Sequence, residues 1–170
     1  RACSAGVGSA THLAGEYFTS ETGTKLLHVP YKGVQEAVAA VAGGQLETAF
    51  PPIALALPLL RSRRIRALAV TSPERVPAVA ETPTVAELGY PKFDSSIWYA
   101  MVLSSAVPRP VMEQLARHVR EVSRQPDVIA KLRSQGLVPK QLELREFDRF
   151  IAEEIKLFDR LVKASGYKPE

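Results

Sequence analysis

Two hydrophobic rhythms divide the chain. In the first hundred or so residues, short apolar runs alternate with helical stripes; beyond Pro108 only helical stripes remain. Leu13, Tyr17 and Phe18 share one side of a helix that opens after Ser9. Residues 25–29 (Lys-Leu-Leu-His-Val) read as a short strand stopped by Pro30, which lacks the N–H a ladder needs. Residues 34–41 read as an alanine-rich helix ended by Gly43 and Gly44. A second strand spans 46–50 and is closed by Pro51 and Pro52; a short helix follows at 53–60. Residues 65–71 are apolar enough for a strand covered on both faces. Thr84 caps a one-turn helix at 85–88, closed by Gly89, and 93–103 reads as a further strand. Strand and helix alternating at roughly twenty-five residues predict a parallel α/β layer arrangement.

From Pro110 the stripes are helical. Val111, Leu115, Val119 and Val122 form the first; Val128, Ile129 and Leu132 follow Pro126-Asp127 and stop at Gly136. A third helix at 147–164 turns Phe147, Phe150, Ile151, Ile155, Phe158, Leu161 and Val162 to one side. All three stripes carry the spacing of core-packing faces.

With 170 residues, 46% of them hydrophobic, the chain can build one ordinary core or two small lobes. A net charge of +4, with both signs interspersed in the C-terminal half, is not that of a nucleic-acid groove. Arg61, Arg63, Arg64 and Arg66 are the one local basic run, read as a solvated turn or, alternatively, an anion-binding patch. The single cysteine, Cys3, excludes an internal disulfide, and no apolar run is long enough to cross a bilayer. His12, His28 and His118 lack ligand spacing, so no metal and no cofactor is expected. Neither a nucleophile elbow nor a recognisable carboxylate pair is present, so no residue is assigned a catalytic role.

The candidate chemistry lies at the start. Ser4-Ala5-Gly6-Val7-Gly8-Ser9 feeds directly into the first helix. A glycine-rich turn before a helix leaves the first N–H groups without carbonyl partners and lets an anion approach the backbone. The plainer alternative is that Ser9 caps the helix and the glycines make a tight turn.

The order of local features is more specific than any one of them. The glycine turn is followed by His12-Leu13-Ala14, by His28-Val29-Pro30-Tyr31-Lys32-Gly33 and by Gly43-Gly44-Gln45-Leu46-Glu47. Ile65-Arg66-Ala67-Leu68-Ala69-Val70-Thr71-Ser72 with Arg75, then Pro83-Thr84-Val85-Ala86-Glu87-Leu88-Gly89 and Trp98, complete the series. Over nearly its whole length the chain resembles the Bug family, the periplasmic solute-binding proteins of tripartite tricarboxylate transporters.

That resemblance implies an α/β, type II periplasmic-binding-protein fold of the Venus-flytrap kind. It implies one lobe nearly complete, residues 1–93, and the crossover strand and C-terminal helices of the other, 94–170. It also implies a non-catalytic receptor, periplasmic, holding a small organic carboxylate for a membrane permease. Carried over by position, the ligand-binding residues are Ser4, Ala5, Gly6, Gly8 and Ser9, with Tyr31 and Glu47 as further candidates. Glu47 stands where the family usually has Asp, one methylene shorter. Family members are longer at the N-terminal side, so half a site is expected here. The same shortfall predicts exposed apolar helix faces and self-association, by exchange of C-terminal helices between copies. Two rivals are an enzyme for a phosphorylated or acyl substrate, with His12 as its base, and a structural fragment without ligand.

Overall fold

A computed structural model describes residues 1–142 and 144–165 of the chain. Three short parallel strands form its sheet: β1 (Ala2–Ser4), β2 (His28–Pro30) and β3 (Thr48–Ala49), in the order β2-β1-β3. Ala2 is opposite His28 on one side and Thr48 on the other, and Ser4 is opposite Pro30. The chain leaves β1 through α1 (Ala10–Thr22) to reach β2, then crosses back through α2 (Val34–Ala42) to β3. Such parallel pairs need crossovers, and the alternation of apolar runs with helical stripes supplies them.

Local chemistry sets the helix ends. Ser9 is the N-cap of α1, its hydroxyl accepting from the His12 N–H at 3.3 Å, and Gly23 closes the helix at φ +67°. Cys3, Ala37, Ala40 and Leu46 form a small core between sheet and α2, with Val29, Tyr31, Val41 and Ala49 packed against it. On the other side of the sheet, Phe93 is fully buried, stacked on Tyr17 of α1 at 4.6 Å and edge-on to Phe18. Phe18 also meets Phe50, just after β3. Beyond β3 come α3 (Ile53–Arg61) and a single 3-10 turn, Pro77–Val79.

The strand expected at 65–71 does not form. Only Val70 bridges, in parallel, to Thr84, and Thr71 accepts from the Ser95 N–H at 2.9 Å. Nor do the described residues at 93–103 make a strand; Tyr99, Met101 and Val102 are each about 70–80% exposed. An apolar run becomes a strand only where a neighbour supplies ladder partners along its length, and among the described residues the partners reach only Val70 and Thr71. The expected helix at 85–88 is a turn, in which Thr84 and Glu87 exchange N–H bonds with each other's side chains.

The three C-terminal helices are present as α4 (Arg109–Ser123), α5 (Pro126–Ser134) and α6 (Leu144–Ser165). Their packing departs from the core pattern. Val111, Leu115, Val119 and Val122 of α4 are all exposed, and α4 buries no residue. In α6, Leu161 is buried and α6 lies along α1, whereas Ile155 is 63% exposed. Trp98 ties to α6 by an edge contact with Phe150 and a 2.6 Å bond from its indole N–H to Glu154. Of the second expected unit, 94–170, residues 143 and 166–170 lie outside the described residues.

Candidate functional site

Order β2-β1-β3 makes β1 the central strand: the chain leaves it through α1 to β2 and passes back across it through α2 to β3. In open parallel sheets ligands bind outside the carboxyl ends of the strands. Residues 4–9 occupy that place, between β1 and α1.

The loop is internally braced. The Ala5 N–H donates to the Thr11 hydroxyl at 2.9 Å, the Gly6 N–H to the Ser4 hydroxyl at 3.1 Å and the Gly8 N–H to His12 Nδ1 at 3.1 Å. The Ser9 N–H donates to the Gly6 carbonyl at 3.2 Å, and the Ser9 hydroxyl reaches the same carbonyl at 2.7 Å. Gly6 at φ +110° and Gly8 at φ +77° adopt backbone that side chains rarely take, so the two glycines are required by the turn. The Tyr31 N–H donates to the Ser4 carbonyl at 3.0 Å, and the Tyr31 carbonyl lies 3.5 Å from where a Gly6 Cβ would stand.

Thus Ser4, Ala5, Gly6, Gly8, Ser9 and the Tyr31 backbone come together at one end of β1. The N–H groups of Ala5, Gly6, Gly8 and Ser9 and the hydroxyls of Ser4 and Ser9 all hold the loop to itself. Among the described residues, no acceptor meets the N–H groups of Val7, Ala10 and Thr11. Thr11 is buried; Val7 and Ala10 belong to exposed residues. Open donors at the mouth of a helix, where its dipole is positive, suit a carboxylate. A cavity of about 10 Å³ behind the loop, lined by Cys3, Ser4, His12 and His28 among others, is too small for an organic acid, so an anion would sit outside the loop.

Glu47 is elsewhere. Preceding Thr48, which pairs with Ala2, it stands at the amino ends of the strands, opposite the loop. There it takes a two-pronged grip from Arg1, at 2.9 Å to Nη2 and 3.2 Å to Nε. Those bonds hold its carboxyl well below the usual range, at about 2.

The sequence brings His12 near the loop only as a hydrogen-bonding candidate and as the base of the rival enzyme, and Thr11 and His28 not at all; all three brace it. His12 and His28 stack with ring centroids 4.0 Å apart, and His28 Nε2 lies 2.6 Å from the Ser4 hydroxyl. Burial, and then the neighbouring His12, push the His28 pKa down. A signal was present: Ser9-Ala10-Thr11-His12 has capping-box spacing, with histidine where a glutamate or glutamine would reach back. Cys3 is buried and donates to the Ala37 carbonyl at 3.2 Å; burial raises its thiol pKa, as for an inert structural cysteine.

The other anion candidate, the arginine run, borders an open hollow of about 790 Å³ lined by Arg63, Arg64, Arg66 and Glu81 among others. These arginines are exposed and Arg63 takes φ +56°, the pattern of a solvated turn. Among the described residues, no group of histidine, cysteine or carboxylates could hold a metal, and no helix is long and apolar enough to cross a membrane.

The sequence profile of the family described as "Tripartite tricarboxylate transporter family receptor" matches residues 2–167, and the chain belongs to that family. It is 33% identical over 162 residues to Protein BugT of Bordetella pertussis, a match taking in 95% of this chain and 50% of that protein. The solved structure of R. palustris Rpa4515 with adipate superposes at a TM-score of 0.86 with 28% identity, over 99% of this chain and 56% of that one. MatC from Rhodopseudomonas palustris, solved with malate, gives 0.72 with 26% identity over 95% and 56%. The chain therefore has the α/β fold of these periplasmic binding proteins and spans about half the length of the relatives it matches.

Proposed function

We propose that this chain is the anion-gripping part of a periplasmic receptor that captures a small organic carboxylate for the membrane permease of a tripartite transporter. The observation that carries the reading is the loop at residues 4–9, braced at the carboxyl end of the central strand, with the Val7 and Ala10 N–H groups left open. In this reading residues 1–93 form the gripping lobe and 94–170 belong to its counterpart. Rpa4515 holds adipate and MatC holds malate on the same fold, which supports an aliphatic dicarboxylate. Catalysis is disfavoured because the ring nitrogens of His12 are engaged: Nδ1 accepts from Gly8 and Nε2 faces Glu16 at 3.5 Å.

Adipate and malate titrated into the 15N-labelled chain test the proposal. Saturable shifts concentrated at the Val7, Gly8 and Ala10 amides are expected, at millimolar ligand if the grip is one-sided. No shift in the loop with either acid would overturn the reading.

A further inference from the structure

We infer that His12 is the positioning residue of the anion loop: its Nδ1 lone pair fixes the Gly8 amide inward, and this leaves Val7 and Ala10 as the donors available to a carboxylate. The second half of that statement rests on the carboxylate reading above; the first stands on geometry alone.

Gly8 sits at φ +77°, where a glycine peptide has more than one arrangement open to it at small cost. Something must choose among them. The Val7–Gly8 peptide is anchored by a single bond, from the Gly8 N–H to His12 Nδ1 at 3.1 Å. Acceptance at Nδ1 assigns the ring proton to Nε2, which faces Glu16 Oε1 at 3.5 Å one turn further along α1. The ring cannot swing away, since His28 stacks against it at 4.0 Å and His12 is itself buried. Its own N–H is capped by the Ser9 hydroxyl, so the residue is held at backbone, ring face and ring edge.

The second ring repeats the device through an intermediary. His28 Nε2 lies 2.6 Å from the Ser4 hydroxyl, and that hydroxyl accepts the Gly6 N–H at 3.1 Å. Both left-handed glycines of the loop therefore refer back to one pair of stacked imidazoles. A histidine present only to fill space would not need its δ nitrogen aimed at a loop amide. Here that nitrogen substitutes for the carboxylate or carboxamide of a capping box, displaced by one residue toward the loop.

The distinguishing substitution is His12→Asn, whose Oδ1 hangs from Cγ as Nδ1 does but which lacks the ring and Nε2. His12→Ala removes both acceptor and ring. Amide hydrogen exchange at Gly8 is expected to rise about tenfold in His12→Ala and to return to within about threefold of the parent in His12→Asn. Both variants lose the stack on His28, so a packing role alone would lower thermal stability in both and leave them alike at Gly8. Adipate affinity should follow the same order, with His12→Ala weakest.

Gly8 exchange indifferent to His12→Ala, or an asparagine variant no better than alanine, overturns the assignment. Exchange that follows the variants while adipate affinity does not overturns the link to the grip. If the parent binds neither adipate nor malate, the carboxylate reading falls, and the Gly8 exchange still decides the positioning role. Should His12→Ala fail to fold, the comparison of parent with His12→Asn remains, together with the long-range 1H–15N spectrum of the parent. That spectrum is expected to show His12 protonated at Nε2; a proton on Nδ1 contradicts the inference.

Discussion

Ser9 and His28 show how much of the loop is decided by single side chains. Ser9 caps α1 and, through the same hydroxyl, holds the Gly6 carbonyl at 2.7 Å, so the capping and turn readings of the sequence describe one device. It is also compatible with anion binding, because the amides it leaves open are others. His28 contributes differently. Its pKa is pushed below the ordinary 6.5, first by burial and then by His12. The unfolded chain therefore takes up the proton before the folded one does, and stability present above pH 6.5 is lost as pH falls from there toward the lowered folded value. Urea midpoints should fall between about pH 7.5 and about pH 5.5, and His28→Gln should lessen that fall. An equal fall in the variant would assign the loss to other groups. The glycines at 6 and 8 were legible because only glycine takes those turns cheaply. Which amides they free was not, since that depends on where Thr11, His12 and Ser4 send their lone pairs. Glu47 shows the limit of reading a site by order along the chain: it is near the loop in sequence pattern and a strand's length from it in space.

At the level of elements, periodicity located helices better than strands. Helices α1, α2, α4, α5 and α6 form within a few residues of their expected bounds because a helix completes its hydrogen bonds internally. A strand cannot. The runs at 65–71 and 93–103 have the composition of strands, but partners meet them only at Val70, which bridges to Thr84, and at Thr71, which accepts from Ser95, so no ladder forms. The same dependence on neighbours governs faces. The stripe of α4 is spaced as a core stripe should be, but spacing records only that the face is apolar, and Val111, Leu115, Val119 and Val122 are left in solvent. With Tyr99, Met101 and Val102 they make apolar surface of the kind that recruits a partner. The chain is accordingly expected to self-associate. Light scattering coupled to size-exclusion chromatography should give a mass that rises with concentration, and Leu115→Lys with Val119→Glu should lower it toward 18.6 kDa. A clean monomer across a wide concentration range would contradict this.

For the whole molecule, topology accounts for the site's position and local chemistry for its character. The order β2-β1-β3 puts the glycine loop at the carboxyl end of the central strand, and the family to which the chain belongs is one of receptors. The chain spans about half the length of the relatives it matches. The central claim concerns the Ala10 N–H. Ala10 is the first residue of α1, where proline fits a helix without loss, and Ser9 at φ −67°, ψ 158° is already in the conformation that precedes proline. Ala10→Pro thus deletes one open donor while leaving the helix in place. Calorimetry of adipate against parent and variant is the decisive measurement. The account predicts unchanged thermal stability and affinity weakened about tenfold, as for a lost hydrogen bond to a charged group. Full affinity in the proline variant would contradict it.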